Sequence, residues 1–393
     1  MGGGHLQLIA IGAQDRLLIG NPTFTFWKSV YKRYTNFAME DIQQTRIGSA
    51  SFGNQVTYTI TRNGDLMSNC FLEAEIEVPG LLGGAIKTPT EHFMERLIKS
   101  VEVQIGGQTI DKQYGLWMHI WNRLTLSDTK LKAYNYMIGS KGLGVESPFL
   151  APDSDSRTSK LNLPLQFWFC KNPGLALPLI ALQYHEVKIK VQIATSGDVQ
   201  YGSGQEYALK GLNLWVNYTY LDSEERRRFA TNSHEYLITQ VQSETPQTLN
   251  IGDNSTTLTF NHPVIELMWV NYKNDENTAQ SWSSFENYID SAKLVLNGND
   301  RFASRDGTYF DTLQPFTYHT NNKEGVNVYS FALYPEDSGK QPSGTLNFSR
   351  IDNAILEQTL KSNFNTGGKL HIFALNYNVL RVISGMAGLA YSN

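Results

Sequence analysis

Apolar and polar residues alternate with period two along much of the chain. In residues 72–78, Leu72, Ala74, Ile76 and Val78 alternate with Glu73, Glu75 and Glu77, the pattern of a strand with one buried and one wet face. Val101, Val103 and Ile105 repeat it and run into Gly106-Gly107, a tight-turn pair. So do Val187, Ile189, Val191 and Ile193, and then Leu212, Leu214, Val216, Tyr218 and Tyr220. Further strand-like runs fall at 257–260, 265–270, 292–296, 326–333, 344–348 and 369–383. Asn63-Gly64 and Asn297-Gly298 sit at strand ends, where type I′ turns need positive φ.

Helical spacing is rarer. Residues 91–99 put Phe93, Met94, Leu97 and Ile98 on one stripe, and Trp117, Ile120, Trp121 and Leu124 form another. Ser223 precedes Glu224 and Glu225 and then Arg226, Arg227 and Arg228, so a capping residue and acids come before bases, as a helix dipole favours. Strand-rich sequence flanks this short helix on both sides. The pattern predicts two antiparallel β domains joined at about 221–235, and without regular βα alternation these are sandwiches. Polar runs at 139–160, 194–206 and 271–287 are the loops on which a sandwich carries its binding surfaces.

Composition narrows the class. A length of 393 residues allows two or three domains. With 41% hydrophobic, 12% aromatic and only 18% charged residues, the chain is neither disordered nor a coiled coil, and much of its surface is suited to meeting other protein. Lys and Arg number 33 against 37 Asp and Glu, so the basic face that grips phosphates is not signalled. Cys70 and Cys170 lie in apolar runs without zinc-ligand neighbours, and buried free thiols are favoured over a disulfide. Residues 5–13 lack the basic lead of a signal peptide, and Leu6 breaks the myristoylation pattern after Gly2. The apolar run at 174–182 is too short to span a bilayer.

Catalytic patterns are nearly absent. Gly142 and Gly144 lack the third glycine of a dinucleotide loop, Gly339-Lys340 lacks the upstream glycine of a phosphate loop, and no G-x-S-x-G elbow occurs. The eight histidines are scattered without metal-ligand spacing. Glu73, Glu75 and Glu77 could bind calcium, but a solvated face or one meeting a basic neighbour is the favoured reading. Three N-x-S/T sequons occur, at Asn217, Asn254 and Asn347. Asn254, in a turn-like segment, is the candidate glycosylation site, although chance matches are favoured. No catalytic, cofactor or metal residue is assigned.

A set of longer blocks carries a family resemblance. They are GAQD at 12–15, GNP at 20–22, YKRYTNF at 31–37, RNGDL at 62–66, IGGQTIDK at 105–112 and NPGLALPLIALQYHEV at 172–187. FNHP at 260–263, LNGNDRF at 296–302, QPSGT at 341–345, NFSRIDN at 347–353, NYNVLR at 376–381 and SGMAGLAY at 384–391 follow. In this order, spread over almost the whole chain, they resemble the major capsid proteins of nucleocytoplasmic large DNA viruses, nearest the phycodnavirus (chlorovirus) type.

The resemblance implies an all-β double jelly roll, two consecutive eight-stranded antiparallel rolls with a few short helices. The expected parts are an N-terminal arm over 1–24, a first roll over 25–220, a helical connector over 221–235 and a second roll over 236–393. It implies a structural protein, not an enzyme and without a cofactor, that forms a homotrimer. The trimer would be a pseudo-hexagonal capsomer tiling an icosahedral virion shell, assembled in the host cytoplasm. Partners would be neighbouring capsomers, minor capsid and penton proteins and a nearby internal viral membrane, with no direct nucleic acid contact. Segments 271–287 and 361–369 look shorter than in larger relatives, which implies a flatter outer surface. The alternatives are a minor capsid paralogue and a carbohydrate-binding or glycan-cleaving sandwich used in host attachment. Trp27, Tyr31, Tyr34 and Trp121 are candidate interface anchors, with core packing as the competing reading. Arg226, Arg227 and Arg228 are candidates for tying rolls or chains together, against a plain solvated helix face.

Overall fold

The computed structural model describes residues 10, 12–20, 34–80, 84–140, 155–273, 285–337, 339–364 and 367–391. The chain divides into two compact units, Met1–Asn36 and Phe37–Asn393. In the first, helix α1 (Ala13–Ile19) starts where the Gly12 N–H donates to Asp15 Oδ2 at 2.7 Å.

The second unit opens with strands β1 (Phe37–Gln44), β2 (Gln55–Thr59), β3 (Leu66–Val78), β4 (Ile98–Ile105), β5 (Gln108–Tyr114), β6 (Arg157–Pro164), β7 (Val187–Ile193) and β8 (Ala208–Leu221). They pair antiparallel in a nested way: β1 with β8, β2 with β7, β3 with β6 and β4 with β5. Pairs β3–β8 and β4–β7 complete two sheets, ordered β1-β8-β3-β6 and β2-β7-β4-β5. This is a long hairpin rolled onto itself, the jelly-roll topology.

Alternation decides which face turns inward, because a one-residue slip would send every apolar side chain to water. Leu72, Ala74, Ile76, Leu212, Leu214 and Val216 share one core with Val56, Val101, Val103, Ile189 and Val191, all fully buried. Tyr58 in β2 bridges the sandwich by donating its hydroxyl to the Leu212 carbonyl of β8 at 2.6 Å.

A second roll repeats the plan with β9 (His234–Ser243), β10 (Gly252–Leu258), β11 (Pro263–Tyr272), β12 (Ile289–Leu296), β13 (Asn299–Asp300), β14 (Val326–Ser330), β15 (Ala354–Leu360) and β16 (Gly368–Ile383). The pairs β9–β16, β10–β15, β11–β14 and β12–β13 are again nested, and β17 (Met386–Leu389) folds back on β16.

The sheet β9-β16-β11-β14 is buried on both faces. Val264, Leu267, Trp269, Ile372 and Ala374 enter the core of the second roll. Their neighbours Ile265, Met268, Val270, Phe373 and Leu375 belong to the cluster that holds the first roll's strands. One apolar core therefore runs from the first roll into the second, and Phe37–Asn393 forms a single unit.

Helices fill the connections: α2 (Phe93–Leu97), α3 (Gly115–Thr125), α4 (Asp128–Met137), α5 (Trp168–Lys171) and α6 (Ser223–Thr231). Three local features differ from the sequence pattern. The stripe at 91–99 is helical only over its centre, because His92 takes a left-handed φ of 55° and Ile98 already starts β4. Asn297 (φ 48°) and Gly298 (φ 78°) make the expected positive-φ turn, whereas Asn63-Gly64 does not. Gly64 is there for space instead, since a Cβ would lie 2.8 Å from Tyr218 Cβ. The connector helix α6 is present, and its cap is Asp222, whose Oδ1 accepts the Ser223 N–H at 2.8 Å.

Candidate assembly surfaces

The junction between the rolls is sealed by polar groups around its apolar centre. Asp111, buried on β5, accepts the Val241 N–H of β9 at 3.0 Å and a Gln113 Nε2 bond at 2.9 Å. Gln240 Nε2 donates to the Ile110 carbonyl beside it. Lys171 on α5 lays its ammonium 3.9 Å from the Trp121 ring centroid and 5.3 Å from that of Trp117. Burial lowers this ammonium to about 8, with Asp111 and Glu266 pulling the other way. From the far end, the hairpin β16–β17 returns to the first roll. The Tyr184 N–H donates to the Gly385 carbonyl at 3.0 Å, and the Ala387 N–H donates to His185 Nδ1 at 3.1 Å.

Folding brings His92, Glu95 and His119 together in the first roll, which the spacing along the chain did not indicate. Their donor atoms lie within 4.8 Å of one another, so they must be tested as a metal site. Arg123 Nη2 sits 2.9 Å from His92 Nε2. A guanidinium only donates, so Nε2 accepts and the His92 proton sits on Nδ1, next to Ser140 Oγ at 3.0 Å. That nitrogen therefore has no lone pair to offer a cation. Glu95 is likewise spent: Oε2 lies 2.7 Å from His119 Nδ1, and Oε1 accepts the Tyr134 hydroxyl at 2.7 Å. Burial raises the Glu95 carboxyl and lowers both imidazoles well below their usual range. The cluster is a buried polar network that ties α2 to α3 and α4, and its bonding does not gather three lone pairs around a cation.

The acidic face of β3 is neutralised within its own sheet. Lys160 of β6 reaches Glu73 at 3.1 Å and Glu75 at 3.4 Å, and Lys210 of β8 reaches Glu77 at 2.7 Å. The reading of this face as one that meets basic neighbours is the one the geometry supports.

The candidate contact residues divide. Trp27 and Tyr31 lie outside the described residues, and Tyr34 is 84% exposed. For Trp121 the core-packing alternative fits the structure: it is buried, stacked 5.7 Å from Trp117 and capped by Lys171. Arg226 Nε pairs with Asp65 at 3.0 Å and so ties α6 back to the first roll, while Arg227 and Arg228 are exposed. Asn254 is not in a turn but within β10, half-buried. Its Nδ2 donates to the Asn250 and Gly252 carbonyls at 2.7 and 2.8 Å, and its Oδ1 accepts the Asn250 N–H. The nitrogen a glycan needs is already engaged.

Alternation did not single out the apolar groups that the fold leaves in water. On the first roll these include Phe37 and Met39 of the edge strand β1. On the second they include Leu313 and Phe316 near one helical turn (Gln314–Tyr318) and Leu333 and Tyr334 beyond β14, with Phe316 79% exposed. Glu336 fastens these two segments together by accepting the Thr320 N–H at 2.7 Å.

Nested pairing in both halves, a shared core and apolar groups left on the outside define a paired-sandwich shell protein. Comparison with known proteins agrees. A family described as "Major capsid protein N-terminus" matches residues 25–222, and one described as "Large eukaryotic DNA virus major capsid protein" matches residues 225–388. The chain is 46% identical to the major capsid protein of Pyramimonas orientalis virus and 40% identical to that of Paramecium bursaria Chlorella virus 1, covering 100% of each chain in both cases. Its structure matches PBCV-1 VP54 with a TM-score of 0.79 at 38% identity, over 94% of this chain and 100% of that one. The Faustovirus major capsid protein, at 14% identity and a TM-score of 0.73, shares the fold over 92% of this chain and 93% of its own. The chain belongs to the major capsid protein family of large eukaryotic DNA viruses, and its role is structural, in the virion capsid.

Proposed function

We propose that three copies of this chain associate as a pseudo-hexagonal capsomer, and that such capsomers tile an icosahedral shell. The carrying observation is the core shared by the two rolls, which makes one chain a rigid pair of similar sandwiches. Three such pairs in a closed ring present six similar units, and a ring of this kind uses two different faces of each chain. The exposed groups Phe37 and Met39 of one roll and Phe316 and Tyr334 of the other supply unlike apolar faces for it. Arg227 and Arg228 face outward and are available to an acidic neighbour. Domain limits of 1–24, 25–220, 221–235 and 236–393, assembly in the host cytoplasm, and contacts with minor capsid and penton proteins and an internal membrane belong to the same proposal. So does the absence of enzymatic activity.

Light scattering tests the reading. A trimer of 44.3 kDa chains has a mass of three times that, about 133 kDa. A stable 44.3 kDa monomer that binds or cleaves glycans would overturn it.

A further inference from the structure

Cys70 lies on β3 with its side chain in the first core, and Cys170 lies 100 residues later on α5. Neither is in a disulfide, yet their sulfurs are only 3.5 Å apart. Forming the ~2.05 Å bond needs an approach of about 1.5 Å, within the range of small side-chain and backbone adjustments.

The surrounding backbone already holds the two sulfurs in place. The Leu165 N–H donates to the Cys70 carbonyl at 3.0 Å, and Leu177–Pro178 pairs with Leu66 and Met67 of β3. Segment 165–178 is thus a strap laid along β3 at both ends, with Cys170 between them. The same strap reaches the second roll, since Asn172 Nδ2 donates to the Gly339 carbonyl at 3.0 Å. Next to Cys170, Lys171 packs on the rings of Trp117 and Trp121.

We propose that Cys70 and Cys170 are a covalent modification site, at which a low-molecular-weight disulfide oxidises the pair to an intrachain bond that staples the strap to β3. Cys170 is half-buried and reacts first. Its thiolate attacks one sulfur of oxidised glutathione, forms a mixed disulfide and releases one glutathione thiolate. Cys70 then gives up its proton and attacks Cys170 Sγ, the mixed bond breaks, and a second glutathione leaves. Two electrons and two protons pass from the protein thiols to the glutathione disulfide, so one disulfide forms as another is consumed. Burial pushes the Cys70 thiol up, which makes the second step the slow one. The chain folds with both thiols reduced and gains the staple when its surroundings become oxidising. Closing a loop of 100 residues restricts the unfolded chain strongly, so oxidation raises stability without rebuilding the fold.

The test starts from the intact, reduced protein exposed to oxidised glutathione under native conditions. The expected result is loss of both thiols on titration after denaturation, and an intact mass lower by two hydrogens. A peptide holding Cys70 joined to one holding Cys170 should appear, with a melting temperature several degrees higher that reverts with dithiothreitol. Cys170→Ser, a change at a half-buried position, should fold normally and show no such shift. Two thiols that still titrate, a glutathione adduct on Cys170 that never resolves, or equal melting of oxidised wild type and Cys170→Ser would each overturn the proposal.

Discussion

His319 Nε2 lies 2.9 Å from Glu266 Oε2, and both side chains are fully buried in the second roll. Glu336 approaches the other ring nitrogen at 3.2 Å, so one imidazole is held between two carboxylates. Burial alone would push this ring down, but Glu266 and Glu336 outweigh it and raise it to about 9. A base whose folded value lies above its unfolded one contributes fully below about 6.5 and loses that contribution as the pH rises toward 9. His319→Gln should therefore be less stable than wild type by about 3 kcal/mol near neutral or acidic pH, the gap narrowing toward pH 9. Urea unfolding of both proteins across this range checks it, and a constant gap would count against the assignment.

Asp111 provides a second pH dependence at the junction of the rolls. Burial raises its carboxyl from 3.8 to about 6, against hydrogen bonds from Val241 and Gln113 that act in the opposite sense. An acid raised in this way stabilises fully below about 3.8 and loses that contribution as the pH climbs through about 6. Asp111→Asn keeps an acceptor for Val241 but cannot ionise. Relative to this variant, wild type should lose about 2 kcal/mol between pH 4 and pH 6, measured as the difference between two unfolding series.

Gly115 opens α3 directly against two carbonyls. A Cβ there would lie 2.0 Å from the Glu95 oxygen and 2.4 Å from that of Ile98. Gly115→Ala should cost about 3 kcal/mol or prevent folding, because backbone cannot yield as a flexible side chain does. Gly53→Ala is a useful contrast: no atom lies within 4 Å of its Cβ, but its φ of 81° still strains the backbone. It should cost about 1 kcal/mol, seen as a smaller drop in melting temperature.

Association should depend on the exposed apolar groups rather than on Trp121. Phe316→Asp combined with Tyr334→Asp should weaken self-association at least about tenfold while leaving circular dichroism and melting of the monomer unchanged. Sedimentation at several concentrations reads this directly. An unaltered oligomer would remove that face from the proposed ring.

Asn254 should carry no sugar, since both of its amide hydrogens are committed to Asn250 and Gly252. Peptide mass mapping of protein from particles should find it unmodified. Asn254→Ala should cost about 1 kcal/mol through the lost bonds.

Strands with one wet face were legible in the sequence, because Leu72–Val78 and its partners write their burial as alternation. β1 was not, since as an edge strand it is exposed on both faces along most of Phe37–Gln44 and so shows no period. β9 hides for a related reason: its pattern changes from alternating to continuous burial at Ile238, where the junction begins. The double burial of β11 could have been suspected from the run VIELMWV, whose apolar residues exceed what one face requires. Neither the His92–Glu95–His119 network nor the meeting of Cys70 with Cys170 follows from spacing. Each joins elements that only the topology brings together. The capsid role was legible as a whole because its motif blocks extend over almost the entire chain.

The nested order of the strands also sets a timetable for synthesis. Phe37 pairs with Leu221, so β1 has no permanent partner until most of the first roll has emerged from the ribosome. Such distant pairings fold slowly and leave an apolar edge waiting in the cell. The second roll opens at His234, after the first has all its strands, and the partner of His234, Val382, is made near the end. Each half can therefore close in turn, and the interval before β8 arrives is when a newly made chain most needs a chaperone.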